Sequence, residues 1–352
     1  MNPRLSFASI FCCIVCAGCV ELPSGSARSA SVEVLSNLPA ARPGEFQVGS
    51  PLSCQNLTVY VLHGRDQSPG TTVVPLQDAM ARHEAVVGEE GSVNELAIEN
   101  VSPNIVYVQS GDVVKGGRQD RTIADDFVLT PGSGRVAIEA FCVESGRWEA
   151  RGAEPSSAFS GSPSVLASKE LKLAARRNAD QGEVWAQVGR LQAGLSRTLH
   201  EPVNADASPS SLQLALENPR LRQWAGEYTH PLASAADNDS DVVGFAFAIN
   251  GHLNSADAYA SHALFRAEWP RLLEAAAIEA IAHLQDADLA PAPTEQAVAA
   301  ALAEAEHGTP SGKRINGCTR LVTYDGPGAL LFEMSDPRLP CNWVHRNYIL
   351  KC

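Results

Sequence analysis

Apolar and polar residues alternate through much of the first half of the chain, and this pattern predicts β-strands. Alternations at residues 93–98 and 105–108 have the two-residue period of a strand with one buried face. Residues 57–62 form a further strand candidate, and residues 76–83 have the spacing of a short helix. Residues 84–148 hold about four or five strands separated by Gly, Pro and Ser. This half of the chain is therefore predicted to be β-rich.

The pattern changes to helical spacing from about residue 163. Apolar residues recur every three or four positions from Val165 to Leu195, with charged residues on the opposite face. An apolar run at 241–250 interrupts the helical pattern and predicts a buried strand. A helix then extends to about Leu284, kinked or begun afresh at Pro270. The expected fold is α+β, with a β-rich N-terminal half packed against a helical C-terminal half that contains at least one further strand.

The last part of the chain differs from the rest in composition. Thr294 and Gly308 are typical cap residues for a short helix in the Ala-rich stretch between them. Residues 313–352 hold three cysteines and several strand-like runs, which predicts a small cysteine-containing C-terminal module held by a disulfide. The expected division is a signal peptide at 1–18, a flexible tether at 19–55, a main domain at 56–285, an Ala/Pro-rich helix and linker at 286–312, and the module at 313–352.

The composition is that of a globular protein that is not built to bind nucleic acid. With 352 residues and 45% hydrophobic content, the chain can bury a sizeable core. A formal net charge of −13 at pH 7 opposes binding to a phosphate backbone through diffuse positive potential. A small anionic ligand stays compatible with this charge, because a few cations and backbone N–H groups in one pocket can act against the overall sign.

The N-terminal residues predict export. Arg4 is followed by an uncharged run, residues 5–18, which is too short for a transmembrane helix. The sequence Cys-Ala-Gly-Cys at 16–19 is similar to a bacterial lipoprotein cleavage box, except that its first residue is usually aliphatic. Lipidation at Cys19 is expected, and ordinary signal cleavage near residues 27–30 is the alternative.

An exported chain would lie in a compartment that permits disulfides. A lipid at Cys19 followed by Val20 predicts attachment to the outer membrane, facing the periplasm; a soluble periplasmic or secreted form is the alternative. The number of cysteines that remain after processing is odd, so one thiol is left unpaired, and Cys142, in an apolar run, is the best candidate. The other four cysteines are Cys54, Cys318, Cys341 and Cys352. They could form two disulfides in any of three pairings, and a disulfide between Cys341 and Cys352 is preferred.

The most polar stretch of the β-rich half is a glycine-rich loop, GDVVKGGRQDR, at residues 111–121. Its glycines permit backbone geometry that other residues avoid, so successive N–H groups could form an anion site beside the cations. Gln119 and Arg121 would share one face of a strand and Asp120 the other. The alternative is a glycine-rich β-turn with solvated cations. The predicted ligand-binding residues of this loop are Lys115, Gly116, Gly117, Arg118, Gln119 and Arg121.

A second polar segment, CVESGRW at 142–148, follows the next predicted strand. A guanidinium beside an indole can stack on a flat base or pair with a carboxylate, so Arg147 and Trp148 are predicted to orient a ligand. The alternative is an ion pair of Arg147 with Glu144 or Glu95 that fixes the corner, with Trp148 in the core. Glu95 and Glu144 are the candidate catalytic acid or base.

Other catalytic patterns have little support in this sequence. Asp125 and Asp126 are adjacent, so in a strand they point to opposite faces and are expected to have ordinary roles. The histidines show no clustered ligand spacing, so no metal site is predicted and no cofactor is implied. Cys142 has no base close to it in sequence, and a G-x-S-x-G motif is absent, so nucleophilic catalysis is not expected.

Several motifs occur in the order found in one bacterial family. They are VNELAIEN at 93–100, GDVVKGGRQDR at 111–121, CVESGRW at 142–148, DQGEVW at 180–185 and AING at 248–251. Together they resemble the ARPP family, the ADP-ribosylglycohydrolase and rhodanese-phosphatase associated protein domain, over roughly residues 57–285. The resemblance implies an association with ADP-ribose and NAD metabolism without naming a reaction.

Two main functional hypotheses follow. The first is an envelope-anchored domain that binds, and in an enzymatic form processes, a small anionic ligand related to ADP-ribose or NAD, with Glu95 or Glu144 as acid or base. The alternative is a non-enzymatic structural or interaction lipoprotein, in which the polar residues form an internal network and the C-terminal module contacts an envelope protein. A sugar hydrolase is a third hypothesis, which requires two carboxylates about 5–10 Å apart across one cleft.

Overall fold

The computed structural model describes residues 33–351, except 37, 39–44, 91, 93, 153, 155–156, 163–167, 238 and 285–289. The expected signal peptide, Cys19 and Cys352 lie outside the described residues, as do Val165 and Leu166 of the predicted helical pattern. Within the described part of the chain, no helix is both long enough and apolar enough to cross a bilayer.

Strands occur near both ends of the described chain, whereas all but one of the helices described follow residue 168. The strands are β1 Glu33–Val34, β2 Gln47–Val48, β3 Leu52–Cys54, β4 Leu57–His63, β5 Val73–Pro75, β6 Ala85–Glu89, β7 Glu95–Asn100, β8 Ile105–Val108, β9 Val113–Gly116, β10 Arg121–Ile123, β11 Phe127–Leu129, β12 Arg135–Cys142, β13 Phe159–Gly161, β14 Val242–Ile249, β15 His252–Tyr259, β16 Thr309–Ile315, β17 Thr319–Asp325, β18 Ala329–Ser335 and β19 His345–Leu350. The helices are α1 Leu76–Ala81, α2 Lys169–Arg176, α3 Gln181–Leu199, α4 Leu212–Leu216, α5 Pro219–Thr229, α6 His262–Ala282 and α7 Glu295–Glu306, with a 3₁₀ turn at Ala233–Ala236.

The largest sheet combines strands from both ends of the described chain. Its strand order is β1-β16-β17-β18-β19-β15-β14-β4-β2, and β3 also pairs with β4. Every position of β14 is buried because helices cover both faces of the sheet there. Phe245 and Phe247 pack into the core shared with α6, whereas the alternate residues Ala246 and Ala248 pack into the core shared with α7. This alternation is what the two-residue period of a strand requires when both faces are covered.

The β-rich half forms two smaller sheets. One has the order β13-β9-β10-β12-β7-β6, and a bridge between Gly88 and Ala158 joins its two edge strands. The other has the order β11-β8-β5, with β5 parallel to β8. A separate core, which includes Leu96, Val108 and Phe127, lies between the strands of these sheets. The glycine-rich loop belongs to the first of them, as the connection from β9 to β10.

The helices that matter for the site begin at side-chain caps. Ser168, Asp180 and Ser261 accept hydrogen bonds from backbone N–H groups in the first turns of α2, α3 and α6, respectively. Such caps satisfy donors that have no partner inside the helix. Helix α6 is apolar over most of its surface, because it lies between the large sheet and helices α3 and α5. Three of its charged residues, Glu268, Arg271 and Glu279, are therefore buried.

The predicted α+β class is confirmed, with a strand-rich N-terminal half and helices plus strands in the C-terminal half. The buried strand predicted at 241–250 is β14, and the helix predicted after Thr294 is α7. Pro270 lies inside one continuous helix, α6. The expected tether end at residue 55 differs from the structure, because β2 and β3 already pair with β4. The expected boundary at 313 falls inside β16, so the cysteine-containing segment extends the largest sheet.

The four described cysteines are free thiols, and Cys142 is buried as expected. Disulfides among Cys54, Cys318 and Cys341 are therefore not formed in this structure. The preferred pairing of Cys341 involves Cys352, which lies outside the described residues.

Candidate functional site

The glycine-rich loop folds back on the segment that follows β12. Gly117 has φ +57, and a Cβ there would run into the ring of Phe159 and lie 2.8 Å from Oε1 of Glu89. Only glycine fits this left-handed position without displacing neighbours. The resulting turn directs Gln119 and Asp120 towards residues 144–151, where the second predicted segment lies.

Arg147 is the centre of the contacts between the two predicted segments. Its Nε and Nη2 donate to the two carboxylate oxygens of Glu144, each over 2.7 Å, and its Nη1 donates to the carbonyl oxygen of Gly117 over 3.2 Å. Gln119 Nε2 donates to the carbonyl oxygen of Glu144 over 2.9 Å. The bidentate geometry is that of a strong arginine–carboxylate pair. The loop is therefore attached to the segment after β12 by the hydrogen bonds of Arg147 and Gln119, while the ion pair of Glu144 with Arg147 lies within that segment.

A second guanidinium completes this network. Arg151 Nη1 lies 3.1 Å from Oδ2 of Asp120, and the hydroxyl of Ser211, the cap residue of α4, donates to the same oxygen over 2.9 Å. Asp120 Oδ1 accepts from the backbone N–H of Gly116. Burial alone would raise the pKa of Glu144, but hydrogen bonds from Arg147, Ser208 and the backbone of Asp120 hold it below its usual range. Both carboxylates are thus paired anions.

The other predicted cations either contact neighbouring acids and carbonyl oxygens or lie at the exposed edge of the network. Lys115 Nζ lies 2.8 Å from Oε1 of Glu217, and the buried Arg121 donates to the carbonyl oxygen of Gln119, with Glu89 3.9 Å away. Arg118 is exposed and lies 6.0 Å from the ring centroid of the half-exposed Trp148. The buried cations of the predicted anion site are therefore engaged by neighbouring acids and carbonyl oxygens, and anion binding at this loop stays a prediction.

The structure separates the two candidate catalytic carboxylates. Glu144 is fully buried and held by Arg147, whereas Glu95 lies exposed at the start of β7, opposite Glu139. No hydrogen bond or ion pair joins Glu95 to the loop within the described residues. Of the predicted residues, Gly116, Gly117, Gln119, Glu144 and Arg147 come together, Arg118 and Trp148 stand at the edge, and Glu95 does not take part.

A different part of the molecule contains an open cleft with acid–base residues. A cavity of about 420 Å³ lies between α2, α3 and α6. Its lining combines cations, acids and small apolar residues, namely Ser168, Glu170, Gln187, Arg190, Leu191, Ala193, Gly194, Arg197, Glu279, Ala282 and His283. The volume falls in the range of about 300–1,000 Å³ that is typical of small-molecule sites.

Glu279 on α6 forms the inner wall of this cleft. Its side chain is 4% exposed, and Asn254 Nδ2 donates to its Oε1 over 2.9 Å. Burial raises the pKa of Glu279 to about 8, and the neighbouring carboxylate of Glu170 contributes in the same direction. The group therefore carries a proton at neutral pH, which a general acid requires.

Behind Glu279 lies a smaller cavity of about 20 Å³, large enough for one water molecule. Lys172 and Asp257 line it with Glu279. Lys172 is 9% exposed, and its ammonium has no hydrogen-bond partner within the described residues. Gly111, with φ +93, leaves room for the lysine, because a Cβ there would lie 2.8 Å from its Cε. The first glycine of the predicted loop motif thus permits the lysine to reach the cavity.

Asp257 connects the cavity to a buried histidine. His345 Nε2 lies 3.0 Å from Oδ1 of Asp257, its Nδ1 lies 3.4 Å from Oδ1 of Asp126, and its ring stacks on Tyr259 with centroids 4.6 Å apart. Burial would lower the pKa of His345, but Asp126 and Asp257 raise it above its usual value. Arg176 Nη2 lies 2.9 Å from Oδ2 of Asp126. Acidic and basic side chains therefore alternate from Lys172 through Asp257, His345 and Asp126 to Arg176.

A second buried acid group lies beside the same motif. Burial and the neighbouring Glu268 raise the pKa of Asp112 to about 7. Glu268 Oε2 lies 2.5 Å from Nη2 of Arg271, which also contacts Asp78 over 3.2 Å. Two carboxyl groups that face one guanidinium in a buried place retain a proton more readily than isolated acids do. Gly111 and Asp112, at the start of the loop motif, thus lie beside the buried acidic and basic side chains.

Most of these residues were missed by the sequence patterns. Asp126 was assigned an ordinary role, and Lys172, Asp257, Glu279 and His345 were not singled out. The one local signal is the presence of charged residues in the otherwise apolar α6, since a buried charge in such a helix needs a partner or a shifted pKa.

One group of described residues has the spacing of metal ligands. Ligand atoms of His63, Asp239 and Asp241 lie within 4.8 Å of one another near the end of β4. None of them lines the cleft, and His63 Nδ1 already lies 3.0 Å from Oδ1 of Asp241. His63 and Asp241 are therefore paired with each other.

Comparison with known proteins gives the family. No curated protein and no solved structure matches the chain. A family model, ARPP-1, described as ARG and Rhodanese-Phosphatase-superfamily-associated Protein domain, matches residues 45–348. This match includes the loop network, the cleft and the strands up to β19, so the chain belongs to the ARPP-1 family.

Proposed function

We propose that this ARPP-1 domain binds a small anionic ligand in the cleft between α2, α3 and α6, and that Glu279 donates a proton to it. The observation that carries the proposal is the position of Glu279. It is a buried carboxyl group in the wall of an open cleft, beside a second carboxylate, Glu170. Pockets that contain groups with strongly shifted pKa values are frequent sites of chemistry.

The charge distribution supports an anionic ligand. In a chain with net charge −13, the walls of the cleft and the small cavity include four permanent cations, Lys169, Lys172, Arg190 and Arg197. The carboxyl groups of the same walls are Asp257, Glu170 and Glu279, and Glu279 is neutral at pH 7. Cations concentrated in a concave site attract anions despite the opposite overall sign.

The residues suggest how a bound ligand would react. In a hydrolysis, the oxygen of a water molecule would form a bond to the substrate as the bond to the leaving oxygen breaks, and protonated Glu279 would donate its proton to that leaving oxygen, as general acids do. Lys172 would stabilise negative charge that develops next to the small cavity, while Asp257, held by His345, keeps the lysine in place. The association of the family with ADP-ribose metabolism makes ADP-ribose and NAD the first ligands to test.

Isothermal titration of the full-length protein with ADP-ribose, NAD and inorganic phosphate tests binding. We expect saturable heat with at least one of them and at least tenfold weaker binding for Lys172→Met. Glu279→Gln should retain binding and lose turnover, followed as ribose or phosphate products by NMR. Arg222→Met is the matched control, because Arg222 is exposed and outside the cleft and the small cavity. Absence of saturable heat with all three compounds, or binding unchanged in Lys172→Met, would refute the proposal.

In the network at the glycine-rich loop, the buried arginines already have partners. This favours the alternative, a structural role, for that segment alone. Arg147 and Arg151 are paired internally, as expected of a non-enzymatic, structural role. If the domain is only a structural or interaction lipoprotein, no ligand will bind at the cleft, and pull-down from the envelope should instead recover a protein partner whose binding does not depend on Glu279.

We also propose that the protein is anchored by lipid at Cys19 and faces the periplasm. The support is the export pattern of residues 1–19. Metabolic labelling with an alkyne-modified palmitate, followed by membrane fractionation, tests it. Labelling that persists in Cys19→Ala, or a wild-type protein found entirely in the soluble fraction, would contradict the anchor.

A further inference from the structure

A second pocket, separate from the cleft, lies where three segments meet beside the largest sheet. Its volume is about 390 Å³. The segments are residues 45–46 before β2, residues 65–67 after β4, and residues 340–342 before β19. The lining consists of Glu45, Phe46, Arg65, Gln67, Pro340, Cys341 and Asn342. None of these residues lines the cleft that contains Glu279.

Several polar side chains of this pocket have no partner. The guanidinium of Arg65 and the side-chain amides of Gln67 and Asn342 make no hydrogen bond or ion pair within the described residues. By contrast, the described arginines of the loop network are all engaged by acids or carbonyl oxygens, except the exposed Arg118. A pocket in which unpaired donors converge beside apolar surface has the general form of a ligand site.

Glu45 gives the pocket a negatively charged group, opposite in sign to Arg65. Its Oε2 accepts from Trp343 Nε1 over 3.2 Å and from Arg346 Nη1 over 3.4 Å, whereas its Oε1 has no partner within the described residues. Arg346 also pairs with Glu333 over 2.7 Å and lies 3.6 Å from Glu306. Arg346 is thus shared among three carboxylates, and the unpaired Oε1 of Glu45 can accept a further cation.

The apolar part of the pocket is held in place. The ring of Phe46 packs edge-on against Trp343 with centroids 6.0 Å apart, and the guanidinium of Arg346 lies 4.7 Å above the Trp343 ring. Trp343 is buried, and the residues that follow it form β19, which is paired on both sides. A site supported by a rigid sheet loses little entropy when a ligand binds.

We infer that this pocket binds a small zwitterion of amino-acid type, with its carboxylate on Arg65 and its ammonium group on Glu45. The amides of Gln67 and Asn342 supply further hydrogen bonds, and Phe46 and Pro340 contact the apolar part of the ligand. An arginine can bind a carboxylate through two parallel hydrogen bonds, which fixes its orientation. A free amino acid and the end of a peptide share this chemistry only in part, because a peptide end carries one of the two charges.

Calorimetric titration of the full-length protein with a panel of L-amino acids tests the inference, with the N-acetyl and the amide derivative of any amino acid that binds. We expect saturable binding of at least one free amino acid and at least tenfold weaker binding of both derivatives. Arg65→Met should weaken binding at least tenfold without a change in melting temperature, because Arg65 is exposed and unpaired. Arg118→Met is the control with unchanged affinity.

Labelling of Cys341 provides an independent measurement. Its thiol lines the pocket, and burial raises its pKa to about 11, so alkylation by N-ethylmaleimide should be slow. A bound ligand should slow it further, whereas Cys54, which does not line the pocket, should be unaffected. The inference is overturned if no amino acid gives saturable heat, if the two derivatives bind as tightly as the free compound, or if Arg65→Met leaves affinity unchanged. These outcomes do not depend on whether ADP-ribose binds the cleft.

Discussion

Replacement of Arg147 by methionine tests whether its contacts with Glu144 and with the carbonyl oxygen of Gly117 stabilise the glycine-rich loop. The substitution removes two hydrogen bonds of 2.7 Å to Glu144 and the contact with the carbonyl oxygen of Gly117. It leaves the fully buried Glu144 with Arg151 3.6 Å away and with hydrogen bonds from the backbone of Asp120 and the side chain of Ser208. Loss of one partner of a buried ion pair costs about 3–5 kcal/mol. We expect the free energy of unfolding to fall by about this amount.

Urea denaturation at pH 7, followed by tryptophan fluorescence and circular dichroism, measures the change. Arg118→Met is the matched control, because Arg118 is exposed, and should change the free energy of unfolding by less than about 0.5 kcal/mol. The double variant Glu144→Met/Arg147→Met should lose less than the sum of the two single losses, because neither charge is then buried alone. A loss below about 1 kcal/mol for Arg147→Met, or additive losses in the double variant, would refute the reasoning.

The same pair predicts a dependence on pH. The pKa of Glu144 is lower in the folded protein than in the unfolded chain, where a glutamate has a pKa of about 4.3. The stability it contributes is therefore present above about pH 4.3 and is lost as the pH falls through the lower, folded value. The difference between wild type and Arg147→Met should shrink in that acidic range.

Three further predictions concern the buried acid–base centre and the loop. Because the pKa of Glu279 is about 8 when folded and about 4.3 when unfolded, wild-type stability should fall between these values as pH rises, and Glu279→Gln should remove at least about 1 kcal/mol of that fall in urea titrations. His345→Gln should lose about 3–5 kcal/mol at pH 6, and the loss should shrink as pH rises above 6.5 through the raised pKa of His345; a constant loss would contradict this. Gly117→Ala should lower the free energy of unfolding by about 1–3 kcal/mol, and more than Gly132→Ala, which also has positive φ but has no atom within 4 Å of the added Cβ.

Sequence patterns predicted those helices and strands that depend on residues close together in the sequence. Strand β14 was recognised because an apolar run between turn formers needs burial on both faces, and α7 because Thr294 caps it. The place of β19 between β18 and β15 was not predictable, since pairing between residues distant in sequence leaves no local signal. For the same reason the segment after residue 313 looked like a separate module, although its strands continue the largest sheet.

The same distinction between local patterns and contacts of distant residues applies to the candidate site. The pairing of Glu144 with Arg147 was one of two predicted alternatives, because residues three apart at a corner can meet. Its extension to Asp120 and Arg151 depends on the path of an irregular segment that no periodicity describes. The raised pKa of Glu279 depends on burial by the large sheet and on Glu170 of another helix, and both are consequences of tertiary structure.

The central position of the final strand has a consequence for biosynthesis. Strand β19 joins β16, β17 and β18 to the part of the sheet that contains β15, β14 and β4. Until residues 345–350 have left the ribosome, β15 and β18 each expose an unpaired edge, which is prone to pair with other chains. A nascent chain stalled or truncated before residue 345 should therefore aggregate or depend on a chaperone, whereas a chain that includes residues 345–350 can close its own sheet.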